Sequence, residues 1–139
     1  NLGEYLRGVA HSLFATYGVL VEHIELCVDA SEITLEVDAA ISCGLLVNEL
    51  VSNCLKHAFP RGRGGAIRVT LRHDGARAVL EVQDNGIGFP TDVDFRSPSP
   101  STLGLRLVSI LTEQLQGTIT LDREQGTRFT IAFERGVAA

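Results

Sequence analysis

The sequence predicts an α+β fold: a two-layer α/β sandwich in which helices cover one face of a mostly antiparallel mixed sheet. Three observations predict it. Alternating apolar and polar segments occur in pairs joined by short turns, helical segments separate these pairs, and one helical segment is apolar around most of its circumference. Because a hairpin with one apolar face buries that face against another layer, we expect the helices to stack on the sheet.

Length, composition and charge limit the class of protein. The 139 residues are 45% apolar and 21% charged, so we expect a single domain over residues 1–139 with a substantial core. The net charge of −5 argues against a nucleic-acid partner, since phosphate backbones attract basic surfaces. The apolar runs are far shorter than the ~20 residues of a membrane helix, and no signal peptide opens the chain. We therefore expect a cytoplasmic domain without membrane contact. Its first residues lie within a predicted helix, which indicates a fragment of a longer protein.

The first 60 residues are predicted to form two helices and two short strands. Residues 1–18 have the apolar spacing of an N-terminal packing helix. The stretches His23–Val28 and Ile33–Val37 predict two strands separated by a polar turn. A long helix is expected over Asp38–Phe59, with its first residue as the N-cap and Pro60 ending it.

Two hairpins and one helix are predicted in the second half of the chain. Asp74-Gly75 is the expected turn of the first hairpin, whose returning strand places four residues on one inward face: Ala78, Leu80, Val82 and Asp84. A mobile loop without periodicity follows over residues 89–102, and Leu103–Leu115 is helical again. The last hairpin pairs Thr118–Leu121 with Thr127–Phe133, and Thr127 is expected to point inward, as Asp84 does.

The three cysteines predict neither a metal site nor a disulfide. Cys27, Cys43 and Cys54 lack any zinc-binding spacing. On one helix, Cys43 and Cys54 are about 16 Å apart, beyond disulfide reach. We expect all three to be reduced core residues.

The long helix carries a polar stripe although it is otherwise apolar. Ser42, Glu49, Asn53 and Lys56 follow one another at spacings of seven, four and three, which places them on one helical face. Buried polar groups need partners. The stripe therefore either pairs internally or lines a polar cleft together with the inward side chains of the sheet.

The residue types in this cleft suit a magnesium nucleotide. Glu49 and Asn53 offer hard oxygen ligands for Mg²⁺, and Lys56 is a point charge for phosphate oxygens. Asp84 can accept from an exocyclic amine, and Thr127 beside it can donate or accept. The glycines Gly86 and Gly88 allow backbone to pass close to a flat ring, and the helix that opens with Leu103-Gly104-Leu105 presents free N–H groups to phosphates.

Four motifs in this order resemble those of the catalytic ATP-binding domain of bacterial sensor histidine kinases, which has the Bergerat fold. Glu49–His57 looks like the N box, Asp84–Gly88 like the first glycine box, and Leu103–Leu105 like the second. Gly126–Phe129 is similar to the closing Gly-Thr motif. The ending Lys56–Pro60 is similar to the subgroup with the second type of dimerisation domain, which is related to the HWE kinases. Those kinases carry a tryptophan that this chain lacks.

The resemblance implies an ATP cleft between the two layers under a lid over residues 89–102. It implies that Asn53 coordinates Mg²⁺ with Glu49 as a neighbouring carboxylate, that these two and Lys56 are the catalytic residues, and that Asp84 receives the adenine amino group. The implied nucleotide-binding residues are Asn53, Lys56, His57, Asp84, Gly86, Gly88, Gly104, Leu105 and Thr127.

The resemblance also implies a function and its partners. The γ-phosphate of ATP would pass to a histidine on the protein's own dimerisation domain, outside this chain, in a homodimeric kinase with a response regulator downstream. Two alternatives remain open. One is a serine kinase or ATPase of the same superfamily, such as an anti-sigma factor. The other is a non-catalytic nucleotide-sensing or phosphotransfer module.

The site residues also have purely structural interpretations. Glu49 and Lys56 are alternatively an ion pair on the helix surface, although their spacing of seven does not favour it. Asn53 is alternatively a core amide, and Asp84 a cap for the turn at Gly86. For His57 a phosphate contact and a structural role are balanced.

Overall fold

A computed structural model describes residues 2–17, 24–30, 35–55, 64–86, 103–122 and 126–134. Helices and strands alternate along the chain in groups, as the sequence pattern predicts. In chain order they are α1 (Leu2–Tyr17), β1 (Ile24–Ala30), α2 (Val37–Asn53), β2 (Gly65–Asp74), β3 (Arg77–Asp84), α3 (Leu103–Gln114), β4 (Thr118–Asp122) and β5 (Thr127–Glu134).

The five strands form one mixed sheet in the order β1-β2-β3-β5-β4. β1 runs parallel to β2, and the other three pairings are antiparallel. Strand β3 lies between β2 and β5 and is hydrogen-bonded on both edges. This pairing fixes the register of β3 and therefore determines which of its side chains face the helices. The prediction of a mostly antiparallel mixed sheet is confirmed.

The core lies between the sheet and the helices. The inward rows of the three central strands are buried: Ile67, Val69 and Leu71 on β2, Ala78, Leu80 and Val82 on β3, and Phe129, Ile131 and Phe133 on β5. Helix α2 contacts both α1 and α3, and its buried side chains join the same apolar cluster. Each fully buried Leu, Ile or Phe stabilises the fold by about 1.5–3 kcal/mol. The predicted two-layer sandwich is confirmed.

The start of α2 differs from the prediction. Leu35 and Glu36 belong to no strand and Val37 is already helical, so a strand over Ile33–Val37 is wrong in its described part; residues 31–34 lie outside the described ranges. Glu36 occupies the N-cap position and makes no side-chain capping hydrogen bond, so the predicted cap at Asp38 is also wrong. Asp38 lies in the first turn, where its charge is favourable to the helix dipole.

Helix α2 ends in a different turn from the rest of the helix. Cys54 and Leu55 continue Asn53 in a π-type turn, and the Cys54 N–H donates to the carbonyls of Leu50 and Val51. The predicted continuation over residues 56–59 and the end at Pro60 lie outside the described residues.

Helix α3 ends by a hydrogen-bonded motif at a residue other than glycine. Gln116 has a positive φ of 55°, its N–H donates to the Glu113 carbonyl at 2.9 Å, and the Gly117 N–H donates to the Thr112 carbonyl at 3.0 Å. These two bonds form the reversal typical of helix C-termini. They end α3 at Gln114, one residue before the prediction.

Cys27 lies on the exposed face of β1, so its predicted core position is wrong, whereas Cys43 and Cys54 are buried as predicted. All three thiols are free. Within the described ranges, the helices are too short or too polar to cross a membrane.

Candidate functional site

The candidate site lies where the C-terminal end of α2 meets the end of β3 and the start of β5. Asp84 is the last residue of β3 and pairs in antiparallel register with Thr127, the first residue of β5. The two side chains are 2% and 5% exposed, respectively. The sheet therefore places a carboxylate and a hydroxyl side by side at the end of its buried face, and the prediction that both point inward is confirmed.

A backbone donor holds the Asp84 carboxylate, and the Cys54 thiol lies on its helix side. The Gly86 N–H donates to Asp84 Oδ1 at 2.9 Å, which closes the turn after β3. From the helix layer, Cys54 lies near enough to this carboxylate for the charge of Asp84 to raise the pKa of its thiol. The capping role of Asp84 at the Gly86 turn, which the sequence left open, is therefore present, and it coexists with a contact to α2.

The Cys54 thiol is held in its protonated form. Burial raises the pKa of this thiol well above its ordinary value, and the negative charge of Asp84 and the hydrogen bond to it raise the pKa further, while a backbone hydrogen bond lowers it. At neutral pH this thiol is a neutral donor next to a carboxylate. Its 5% exposure separates it from solvent.

Asn53 precedes Cys54 on α2 and has an unmatched polar atom. Its Nδ2 is buried and has no hydrogen-bond partner within the part of the chain that the structure describes. A buried donor left without a partner costs about 1–3 kcal/mol. Glu49, one turn earlier on the same helix, is half-buried. A buried amide with an unmatched donor, one turn from a carboxylate on the same helical face, is suited to a ligand.

The same pair fits a divalent cation that also has other ligands. Within the described ranges, no three His, Cys, Asp or Glu side chains form a cluster that could hold a metal ion. Mg²⁺ commonly takes one or two protein oxygens and fills its remaining positions with water and phosphate. Asn53 and Glu49 fit that kind of site, in which a nucleotide supplies the other oxygens.

Backbone contacts beside Asp84 hold the ends of three strands together. Asn85 accepts the Ala66 N–H with its Oδ1 at 2.8 Å and donates its own N–H to the Ala66 carbonyl at 3.3 Å. On the other side, Gly126 has a positive φ of 84° and packs against the backbone of Asp84. The carboxylate is thus attached to a well-anchored backbone.

The other predicted site residues are placed as follows. Gly104 and Leu105 lie in the first turn of α3. Ser42 of the polar stripe is buried at the other end of α2, in a groove with Gln114 and Phe133, and does not reach the Asp84 region. The remaining predictions lie outside the described residues: Lys56, His57, Gly88 and the lid over residues 89–102.

Sequence reasoning missed the parts played by Cys54, Asn85 and Gly126. Cys54 has the size and helical spacing of a core residue, and only its position directly after Asn53 distinguishes it. Asn85 and Gly126 lie within predicted motifs, but their contacts are between strands distant in sequence, which residue spacing alone does not reveal.

The chain matches a known family over most of its length. Residues 38–136 match the family described as histidine kinase-, DNA gyrase B-, and HSP90-like ATPase. The blue-light-activated histidine kinase 2 of Erythrobacter litoralis is 31% identical over 123 residues, which are 88% of this chain and 34% of that protein. The sensor histidine kinase PdtaS of Mycobacterium tuberculosis is 29% identical over 97 residues, which are 67% of this chain and 19% of that protein. The chain therefore spans about a third or less of the length of these relatives.

Solved structures share the fold. The histidine kinase domain of the Erythrobacter litoralis blue-light-activated kinase superposes with a TM-score of 0.86 at 29% identity and covers 96% of this chain and 61% of that chain. The catalytic domain of the histidine kinase ThkA has a TM-score of 0.78 at 22% identity, covering 97% and 92% of the two chains. At that identity the second similarity supports the fold alone.

Proposed function

Because the chain belongs to the family of histidine kinase-, DNA gyrase B-, and HSP90-like ATPases, we propose that it binds Mg·ATP between its helix and sheet layers. We further propose that it transfers the γ-phosphate to a histidine on a dimerisation domain outside the 139 residues. The relatives that are themselves named as histidine kinases support a kinase over another ATPase of the family. One observation carries the proposal: a carboxylate, Asp84, lies 2% exposed at the end of a buried apolar row.

Asp84 recognises the base in this proposal. A buried carboxylate can only accept hydrogen bonds, and the adenine ring presents its N6 amine as a donor. Thr127, paired with Asp84 across the strands, supplies a hydroxyl that can donate or accept beside the same ring. Gly86 and Gly88 follow Asp84 in the chain, and glycines have no side chain to compete with the ring for space.

Asn53 and Glu49 hold the magnesium ion of the bound nucleotide. The Asn53 Oδ1 and the half-buried Glu49 carboxylate, one turn away, are oxygen ligands of the kind that Mg²⁺ takes. The unmatched Nδ2 of Asn53 is a donor and would be satisfied by an acceptor such as a phosphate oxygen. When bound, the ion neutralises charge on the phosphate oxygens. Phosphoryl transfer needs little covalent chemistry from the protein, so the contribution of these two residues is to position and neutralise.

Further residues are assigned to the phosphate chain. Lys56 contributes a positive charge to catalysis and His57 a contact to the phosphates. The first turn of α3, with Gly104 and Leu105, presents free backbone N–H groups.

The partners follow from the proposed reaction. The acceptor histidine lies on the protein's own dimerisation domain, the whole protein is a homodimer, and a response regulator receives the phosphate. We assign this domain to the cytoplasm, where ATP and response regulators are available. We propose that it binds neither nucleic acid nor a membrane.

Calorimetric titration of Mg·ATP into wild type and Asn53→Ala tests the proposal. The wild type is expected to bind ATP more tightly with Mg²⁺ than with EDTA, and Asn53→Ala is expected to lose that dependence while its circular dichroism stays unchanged. Asn48→Ala is a matched control, because Asn48 is on the same helix but faces a groove with Glu4 and Tyr5 of α1. Wild-type magnesium dependence in Asn53→Ala would contradict the assignment of this residue. A wild-type chain that does not bind ATP would contradict the function.

A further inference from the structure

Asn85 joins the turn after β3 to strand β2. Ile67 of β2 faces Asp84 of β3 in antiparallel register, so the next position along the two strands sets Ala66 opposite Asn85. In a regular antiparallel pair, two residues that face each other in this way exchange two backbone hydrogen bonds. Here the Asn85 N–H donates to the Ala66 carbonyl at 3.3 Å, but the Ala66 N–H donates at 2.8 Å to the side-chain oxygen Asn85 Oδ1. The side chain of Asn85 thus supplies an acceptor where a strand supplies a backbone carbonyl.

This exchange of acceptor lets the chain leave the sheet directly after Asp84. β3 ends at Asp84, and the Gly86 N–H turns back to Asp84 Oδ1 at 2.9 Å. Asp84 and Asn85 therefore each bind a backbone N–H through Oδ1, the first within the turn and the second on β2. Ala66 is itself paired with Glu25 of β1, so Asn85 attaches the turn to the part of the sheet where β1 and β2 meet. The orientation of the Asp84 carboxylate consequently depends on where Asn85 holds the start of the turn.

Building on the proposed function, we propose that Asn85 is a positioning residue for recognition of the adenine amino group. Its bond to Ala66 keeps the Gly86 N–H at the place where that donor holds Asp84 Oδ1. With one carboxylate oxygen held, the remaining lone pairs of the carboxylate keep a constant direction toward the N6 amine. Without the Asn85 acceptor, the Ala66 N–H loses its partner and the turn is released from β2. The carboxylate then reorients, and the amine contributes less to binding.

Two nucleotides that differ only at the amine test this role. Purine riboside triphosphate has the ring, ribose and phosphates of ATP without the 6-amino group. The ratio of its dissociation constant to that of ATP, both measured with Mg²⁺, isolates the contribution of the amine. A general loss of stability or of phosphate binding weakens both ligands alike and leaves this ratio unchanged. Since the amine donates to a charged acceptor, the wild-type ratio is expected to be about tenfold or more.

The variants separate the acceptor from the volume of the side chain. Asn85→Leu keeps a similar volume and has no acceptor, whereas Asn85→Asp keeps an oxygen at the position of Oδ1. The leucine variant is expected to reduce the ratio to about threefold or less, and the aspartate variant to retain most of it. Asn85→Ala removes the acceptor without adding apolar surface and is expected to behave as the leucine variant does.

A core substitution on a neighbouring strand controls for stability. Ile131 is 0% exposed on β5 and faces Leu80 of β3, in the apolar row that ends at Asp84. Ile131→Val removes one buried methyl group, so it is expected to lower the melting temperature by about 2–5 °C. Because it changes no contact of the turn, it is expected to keep the wild-type ratio of the two nucleotides.

A lower ratio in Asn85→Leu and Asn85→Ala than in Asn85→Asp, with the wild-type ratio in Ile131→Val, supports the inference. The wild-type ratio in either acceptor-free variant overturns it. An equal loss in Asn85→Asp also overturns it, because the acceptor would then not be the cause, and so does an equal loss in Ile131→Val, which would indicate a general effect on the fold. If the wild type does not bind Mg·ATP, the proposed function falls and this inference with it. If the wild type binds both nucleotides equally, the assignment of Asp84 to the base falls together with this inference. A wild-type preference for ATP that persists in Asn85→Leu overturns this inference alone.

Discussion

Replacing Gly126 with alanine should damage both the fold and the nucleotide site. Gly126 lies directly before Thr127, the first residue of β5, and has a positive φ of 84°. A Cβ built there collides with the Asp84 carbonyl oxygen and lies 3.0 Å from the carbonyl carbon of Asp84 and 3.1 Å from Asn85 Cα. These are backbone atoms of a paired strand, so they cannot turn away as the end of a side chain can. The substitution must separate β3 from β5 at Asp84.

A second glycine separates the two causes of destabilisation, the positive φ and the steric clash. Gly75, in the β2–β3 turn, also has a positive φ, 62°, but a Cβ there meets nothing within 4 Å. Placing an alanine at such a φ costs about 1–2 kcal/mol, which both variants share. Overpacking adds about 1–3 kcal/mol for Gly126→Ala alone. At about 3–5 °C per kcal/mol, Gly75→Ala should lower the melting temperature by about 5 °C and Gly126→Ala by about 10–15 °C.

The assay combines thermal unfolding by circular dichroism with calorimetric titration of Mg·ATP. Gly126→Ala is expected to bind ATP at least about tenfold more weakly. The clash displaces the Asp84 carboxylate, and a displacement of about 1 Å of a positioned group is enough to lose its interaction with the ligand. Gly75→Ala, in the turn at the opposite end of β3 from Asp84, is expected to bind ATP as the wild type does. Equal destabilisation by the two substitutions, or wild-type ATP affinity in Gly126→Ala, would refute the close approach at Asp84.

Three further predictions concern the site, the reaction and the thiols. Asp84→Asn should weaken ATP binding and relax the preference for adenine over guanine, because an amide can also donate to a guanine O6; wild-type ATP binding in a nucleotide competition assay would place the base elsewhere. Incubation with γ-labelled ATP should leave the 139-residue chain unlabelled, and adding a dimerisation segment in cis should restore an acid-labile label. An acid-labile label on the isolated chain would contradict an acceptor located outside it, and an acid-stable label would favour a serine kinase. Mass spectrometry after iodoacetamide treatment at mildly alkaline pH should find Cys27 modified, with Cys43 and Cys54 modified only after unfolding, since burial raises the pKa of both thiols. Rapid modification of Cys43 and Cys54 in the native protein would refute the burial of these two.

The strand alternation predicted the sheet side of the site. Period-two patterns placed Asp84 and Thr127 inward, and the structure pairs them. This succeeds because a one-residue slip would expose the whole apolar row of β3, so burial fixes the register strongly.

The errors occurred where the sequence pattern was short, or where the prediction needed to know which residues of two different elements are in contact. A five-residue run such as Ile33–Val37 fits the start of a helix as well as a strand, and Val37 is the first residue of α2. The face of a helix can be read from its periodicity, but the strand end that lies opposite that face cannot. For this reason the core position predicted for Cys54 is confirmed, whereas its proximity to Asp84 was missed.

The two halves of the proposed site should respond differently to a shift between the layers. Asp84 depends on three separate elements, since it belongs to β3, lies near Cys54 at the end of α2 and packs against Gly126, the residue before β5. Glu49 and Asn53 lie one turn apart on a single helix, so their mutual geometry survives when that helix moves as a body. A change in layer spacing therefore affects recognition of the base before it affects the proposed magnesium ligands. Variants at the layer contact should lose discrimination between adenine and guanine while their remaining nucleotide binding stays dependent on magnesium.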